Sequence, residues 1–344
     1  MHIPDGYLSP ATCAALYASS APFWYVALRR LKRLLPTKLI PLLSVFAAFS
    51  FVVMMFNLPL PGGTTGHAVG VSIASIVLGP WASILAISIA LFIQAIFFGD
   101  GGITAFGANS FNMAVAGSLV AYFTYRAISG KCAIVSRRRV FAAGVAGYLS
   151  INVAALLAAV ELGIQPMLFR DASGAPLYAP YPLKIAIPAM MAGHLTVAGL
   201  AELILSAGLV AWMQRSHPSL LSATAPGAAP TETEAGGFGW LSLRPLLVGF
   251  ATLMLLTPLG ILAVGSAWGE WSPHDLANRA LPAGVPPGLE RLSSVWTAPF
   301  PSYSPPFLRS SSFGYFLSAA FGSGLILLAA LLVDWAFAAR RRSG

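Results

Sequence analysis

The stretch WASILAISIALFIQAIFFG, residues 81–99, decides the fold. It contains no charged side chain, and as a helix it rises about 28 Å at 1.5 Å per residue. That length matches the hydrocarbon core of a bilayer, which is about 30 Å thick. We therefore predict a transmembrane helix here, set off by a Gly79-Pro80 turn from another apolar segment on its N-terminal side.

The composition of the whole chain indicates the same class. Of 344 residues, 57% are hydrophobic and 9% are charged, and the mean hydropathy is +0.77, whereas soluble domains carry about 25% charged residues. Apolar segments recur along most of the sequence, which predicts an all-α integral membrane protein. The expected spans are 9–29, 38–58, 68–80, 81–99, 107–128, 140–163, 181–214, 245–267 and 313–339.

The distribution of basic residues predicts the orientation. With the N-terminus outside, fifteen Lys and Arg fall in inside loops and five in outside loops, which is the bias expected of a bacterial inner-membrane protein. The C-terminus is then cytoplasmic. This bias explains the net positive charge without a nucleic-acid partner.

Two cysteines, Cys13 and Cys132, indicate neither a disulfide framework nor a cysteine zinc site. No secretory leader is expected, because the first ten residues lack Lys and Arg.

The spans group into two units. Residues 1–215 hold seven of them, and residues 216–240, rich in Ala, Pro, Thr and Gly, are expected to be a flexible cytoplasmic linker. Residues 241–344 form a two-span unit, whose two helices flank an outside segment with three Trp and many Pro.

The first two residues, Met1 and His2, can together chelate a metal ion. The α-amine, the backbone nitrogen of His2 and its Nδ1 lie on one short covalent path. They can close a five-membered and a six-membered ring around a metal ion. Three nitrogens in a plane leave one corner for another imidazole, an arrangement that suits Ni²⁺ or Cu²⁺ and accepts Co²⁺. Zn²⁺ prefers a tetrahedron.

The fourth corner is assigned by elimination among the other histidines. His194 lies within the seventh span and His217 in the linker, so only His67 and His274 share the predicted outer side with His2. Of these two, only His67 belongs to the seven-span unit. The residues therefore predict Met1, His2 and His67 as metal ligands, although a Met-His start can also arise by chance.

The sequence gives weaker support for a functional role of four other polar residues. Asp100 and Asn109, in the loop 97–113, could orient the ligands by hydrogen bonding, or Asn109 could cap the fifth span. His194 and Glu202 are intramembrane polar groups and hence possible functional sites. Bundle packing is the simpler interpretation for both. A stand-alone, proton-coupled metal carrier using these two residues is the alternative function, and a purely structural subunit is a third. The sequence has no Walker-type phosphate loop.

Four motifs carry a family resemblance. MHIPDGYLSP (1–10), PGGTTGHAVG (61–70), GDGGITAFGANSFNM (99–113) and HLTVAGLAE (194–202) occur in the order found in the NikM/CbiM family. Its members are substrate-binding (S) components of energy-coupling-factor importers for nickel and cobalt. AWGEW (267–271), PGLERLSSVW (287–296) and PFPSY (299–303) resemble the small NikN-type subunit, here fused to the S component.

The resemblance implies a seven-helix S component that binds its ion through Met1, His2 and His67. It also implies a transmembrane coupling (T) subunit and cytoplasmic ATPase subunits as partners, and no enzymatic activity in this chain. The ion, Ni²⁺ or Co²⁺, is transported substrate, and no organic cofactor is expected. The AWGEW-type tail favours nickel. The sequence departs from many relatives at Pro4 and Asp5, and neither side chain is an expected ligand.

Overall fold

A computed structural model describes residues 1–34, 39–60, 64–225, 240–263, 265–278 and 284–342. These residues are largely helical, which confirms the predicted all-α class. The helices are α1 (Pro10–Leu34), α2 (Leu39–Met54), α3 (Val71–Leu78), α4 (Pro80–Ile93), α5 (Phe106–Asn109), α6 (Gly117–Ser129), α7 (Arg137–Leu168), α8 (Leu183–Gly193), α9 (Gly199–Ser216), α10 (Trp240–Leu256), α11 (Pro273–Ala277), α12 (Pro287–Leu292) and α13 (Ser311–Arg342). One antiparallel hairpin, β1 (Leu58–Leu60) with β2 (Thr64–Gly66), precedes α3.

Each predicted span overlaps a helix. Four helical stretches among the described residues are long and apolar enough to cross a membrane, namely Pro80–Phe98, Arg137–Leu168, Leu183–Ser216 and Ser311–Leu332. Two shorter apolar helices are Ile40–Met54 and Leu247–Leu262. The chain is therefore a multi-pass membrane protein.

The third predicted span, 68–80, is not a complete crossing helix. Apart from Pro80, which begins α4, only α3 is helical there, and its eight residues rise about 12 Å. All eight are buried, so α3 is a core element. If this segment crosses the membrane, the non-helical residues before α3 must enter the apolar layer. Irregular backbone is tolerated at that depth only where protein surrounds it and satisfies its hydrogen bonds.

Three π-helical turns interrupt helices in the part of the chain that the structure describes. They comprise Gln94–Phe98 after α4, Ser110–Ala116 between α5 and α6, and His194–Ala198 between α8 and α9. Such turns insert an extra residue and frequently occur at functional sites. The sequence pattern did not predict them.

The C-terminal part packs directly against the rest of the protein. Helix α13 lies along α2, and Gly322 permits the contact, because a Cβ there would be 2.3 Å from the Phe51 ring. The Tyr315 hydroxyl donates to the Met55 carbonyl at 3.1 Å. The division into two units stays a prediction, but these helices share one core.

The predicted linker 216–240 is ordered over its first part. Pro218–Thr224 forms a 3₁₀ helix that packs against α3, and Leu221 is fully buried. The apolar side chains of this stretch cover part of the core, a contact that the composition of the linker did not predict. Residues 226–239 of the predicted linker and 61–63 of the PGGTTGHAVG motif lie outside the described residues.

Candidate metal centre

The N-terminus is inserted into the protein. Met1, His2 and Ile3 are 3%, 2% and 0% exposed. The Asn109 side chain binds both backbone groups of Ile3: its Oδ1 accepts from the Ile3 N–H at 2.8 Å, and its Nδ2 donates to the carbonyl at 3.0 Å. Asn109 thus holds the terminal segment in place next to the predicted ligands.

The loop after α4 closes over the same segment. The Gly102 N–H donates to the Ile3 carbonyl at 2.8 Å, and a Cβ on Gly102 would lie 2.3 Å from the Asp5 nitrogen, so only glycine fits. The Asp5 carboxylate accepts from the backbone N–H groups of Ile103 at 3.1 Å and Thr104 at 2.7 Å, and from the Thr104 hydroxyl. Asp5 fixes the loop and is not directed at the ligands.

His67 lies against His2. The two rings have centroids 4.9 Å apart and planes inclined by 30°, and His67 is 5% exposed. Its Nδ1 lies 3.0 Å from the Ala68 carbonyl, while its Nε2 has no hydrogen-bond partner among the described residues. Burial, then the positive charges of His2 and the α-amine, lower the pKa of His67 well below its ordinary value. The imidazole is therefore neutral at pH 7, as a metal ligand must be.

Asp100 binds the His2 ring. Its Oδ1 lies 2.5 Å from His2 Nδ1, and its Oδ2 accepts from the Tyr303 hydroxyl at 2.5 Å. Gln94, in the first π-helical turn, donates to the Tyr303 oxygen at 2.9 Å. Burial alone would raise the pKa of Asp100, but the charge and hydrogen bond of His2 outweigh it and hold the pKa well below the usual range. Asp100 is therefore a carboxylate that orients His2.

Glu270 is the residue that the sequence did not reveal. Its Oε1 accepts from the α-ammonium group of Met1 at 2.9 Å. Glu270 belongs to the AWGEW stretch and is its one acidic residue, which is the only signal that could have pointed to it. Together with His67 and Asp100 it lines a cavity of about 660 Å³ over the N-terminus.

Glu202 supports the backbone beside His67. This carboxylate is 0% exposed, and its Oε2 accepts from the N–H groups of Val69 at 2.7 Å and Gly70 at 3.0 Å. A carboxylate at the N-terminus of α3 also interacts favourably with the helix dipole. His194, 3% exposed, has its Nδ1 2.8 Å from the Met190 carbonyl. Both residues thus bond to backbone groups of the bundle.

Replacing Glu202 by alanine is expected to weaken metal binding about 10- to 100-fold, the usual range for a residue that orients a ligand. The two N–H groups before α3 would lose their buried acceptor, and the segment that carries His67 would loosen. Calorimetric titration of the purified protein with Ni²⁺ measures the change. Glu202→Gln keeps an acceptor oxygen and should recover most of the affinity. Equal losses in both variants would contradict a positioning role.

Known proteins resemble this chain, one of them over its whole length. Residues 2–220 match the CbiM family, described as the cobalt uptake substrate-specific transmembrane region. The fused nickel transport protein NikMN of Rhodobacter capsulatus is 54% identical over 100% of both chains. A probable fused nickel transport protein, LarMN of Lactiplantibacillus plantarum, is 45% identical over 81% of this chain and 80% of its own. A crystal structure of a truncated transition metal transporter is 48% identical, covers 63% of this chain and 100% of its own, and gives a TM-score of 0.59.

Proposed function

The chain belongs to the CbiM/NikM family of nickel and cobalt transport proteins, with a NikN-like part fused at its C-terminus, and we propose that it is the substrate-binding subunit of an ATP-driven importer. The imported ion is Ni²⁺ in preference to Co²⁺, since the two fused relatives described above are named as a nickel transport protein and a probable one.

The ion binds in a plane of four nitrogens. The donors are the Met1 amine, the backbone nitrogen and Nδ1 of His2, and one ring nitrogen of His67. The observation that carries this proposal is the burial of all three residues, with the two imidazole rings in contact. Nitrogen donors in a square plane suit Ni²⁺, and a neutral His67 is ready to bind it.

Its partners in transport are a transmembrane T subunit and cytoplasmic ATPases, as the family resemblance implies. The lack of a Walker-type loop in the sequence is consistent with ATP hydrolysis on a separate subunit. It lies in the bacterial inner membrane with its N-terminus outside and its C-terminus inside, in accord with the distribution of Lys and Arg. The pocket around Met1 then collects the ion from the outer face.

Uptake of radioactive nickel tests the transport role. Cells without their own nickel importer receive this chain alone, with the T and ATPase subunits, or with an ATPase lacking its Walker lysine. We expect accumulation only with the intact ATPase. Uptake by the chain alone that is lost in His194→Ala or Glu202→Ala, while His67→Ala transports normally, would favour the proton-coupled carrier instead.

Spectroscopy of the purified chain tests the site. One equivalent of Ni²⁺ should give a diamagnetic complex with a square-planar d–d band. A paramagnetic, six-coordinate Ni²⁺ spectrum would contradict the four-nitrogen plane.

A further inference from the structure

A plane of four nitrogens gives no ligand role to two nearby carboxylates, those of Asp100 and Glu270. Single ligand atoms from His2, Asp100 and Glu270 lie within 4.8 Å of one another, close enough to hold one metal ion. Asp100 follows the first π-helical turn, and Glu270 comes from the C-terminal part, far away in sequence. The group therefore exists only when the two parts of the chain are packed together.

These carboxylates contact the donors of the proposed plane. Glu270 binds the Met1 ammonium, and Asp100 binds His2 Nδ1. Both donor groups must leave their carboxylates before they can complete the plane. The carboxylates are partly exposed, at 20% for Glu270 and 18% for Asp100, whereas the His2 side chain is 1% exposed. An ion in the cavity thus meets the two negative groups before it reaches the buried amine.

His2 is shared by both arrangements. Its Nδ1 faces Asp100, and its Nε2 has no hydrogen-bond partner among the described residues. Ni²⁺ and Co²⁺ both accept mixed sets of carboxylate oxygen and imidazole nitrogen. An ion held by His2 and the two carboxylates is therefore already attached to one ligand of its final site.

We propose that His2, Asp100 and Glu270 form a capture site for hydrated divalent Ni²⁺ or Co²⁺, which takes the ion from the cavity and passes it to the nitrogen plane. This inference rests on the proposed function. The C-terminal part supplies one ligand, Glu270, so it takes a direct part in loading the ion.

A capture site acts on rates more than on affinity. If Glu270 leaves the ion once the plane is complete, it stabilises only the intermediate, and both association and dissociation pass through that intermediate. Negative charge in a cleft raises association rates of cations by about 10- to 1,000-fold. We therefore expect Glu270→Gln to slow association and dissociation together, while the equilibrium Kd stays within about threefold.

Stopped-flow mixing of the full chain with Ni²⁺, followed at the square-planar band, measures both rates. Glutamine keeps an oxygen that can accept from the Met1 ammonium, so it removes the charge and keeps the hydrogen bond. Glu270→Gln should reduce the association rate at least about tenfold. Glu270→Asp retains the charge and should stay near the native rate. Glu290→Gln is the matched control, because Glu290 lies in the same C-terminal segment, exposed in α12, and should leave the rate unchanged.

A second experiment isolates the capture site. His67→Ala removes one corner of the plane but leaves the capture ligands in place, so this variant should still bind Mn²⁺ weakly, as detected by electron paramagnetic resonance. His67→Ala combined with Glu270→Gln should lose that binding.

The outcomes separate the two proposals. An unchanged association rate in Glu270→Gln overturns the capture site. A weaker affinity caused by faster dissociation alone also overturns it, and would make Glu270 a residue that positions the amine. Absence of Mn²⁺ binding in His67→Ala also overturns it. Failure of the native chain to bind Ni²⁺ in a square plane would instead refute the proposed function.

Discussion

Extending the N-terminus by two residues, Met-Gln, is expected to abolish tight Ni²⁺ binding. The extension converts the α-amine of Met1 into an amide and thereby breaks the five-membered chelate ring. The new initiator Met stays attached to Gln, because its removal generally needs a small second residue. Loss of this donor should weaken the Kd by about 1,000-fold or more, equivalent to roughly 4 kcal/mol. Calorimetric titration with Ni²⁺ measures it.

The structure makes this change severe for a second reason. Met1 is 3% exposed, and its ammonium group lies 2.9 Å from Glu270, so two further residues have to displace buried groups. Glu270→Ala separates the two causes, since it removes the ion pair and keeps the amine. We expect Glu270→Ala to bind Ni²⁺ far more tightly than the extended chain. Similar losses in both would indicate that the amine matters for packing and not as a ligand.

The control restores the native terminus. If the extension carries a protease site directly before Met1, cleavage should return both the affinity and the square-planar band. A single alanine inserted between Met1 and His2 is a weaker test, because Met-Ala-His presents four nitrogens of its own: the amine, two amides and the imidazole. Native affinity in the uncleaved, extended chain would rule out the amine as a ligand.

The helical class was predictable because the bilayer imposes it. A segment such as 81–99 has no alternative to a helix in hydrocarbon, where each backbone group must be bonded within its own segment. The pairing of Met1 with His2 was predictable for a different reason, since covalent proximity does not depend on folding. His67 followed from the predicted membrane side, and the contact of its ring with His2 agrees with that choice.

The remaining parts of the centre depend on tertiary packing. Glu270 is far from Met1 in sequence, and no local pattern distinguishes it from Glu290 in the same segment. The length of α3 was overestimated, because Ala68, Val69 and Gly70 are apolar in sequence but are not helical. The acceptor of the Val69 and Gly70 N–H groups could not be identified without the fold. The sequence therefore showed Glu202 only as an intramembrane charge.

His67→Ala is expected to remove the fourth corner of the plane and with it the square-planar band. Affinity for Ni²⁺ should fall about 100-fold or more, equivalent to at least roughly 2.7 kcal/mol. The three nitrogens of Met1 and His2 would remain, so any residual Ni²⁺ should bind with water in the open position. Absorption spectroscopy and calorimetric titration of the purified protein measure the two effects.

His274→Ala is the matched control, because His274 is exposed in α11 of the C-terminal part and should leave both measurements unchanged. Loss of a buried ring could also disturb the fold. The metal-free His67→Ala protein should therefore melt at the same temperature as the metal-free native chain.

Added imidazole provides a sharper test. The missing ring leaves a space beside His2, where free imidazole at millimolar concentration should bind the ion and restore the band. Native affinity in His67→Ala, or a band that survives without imidazole, would assign the fourth corner to a different residue.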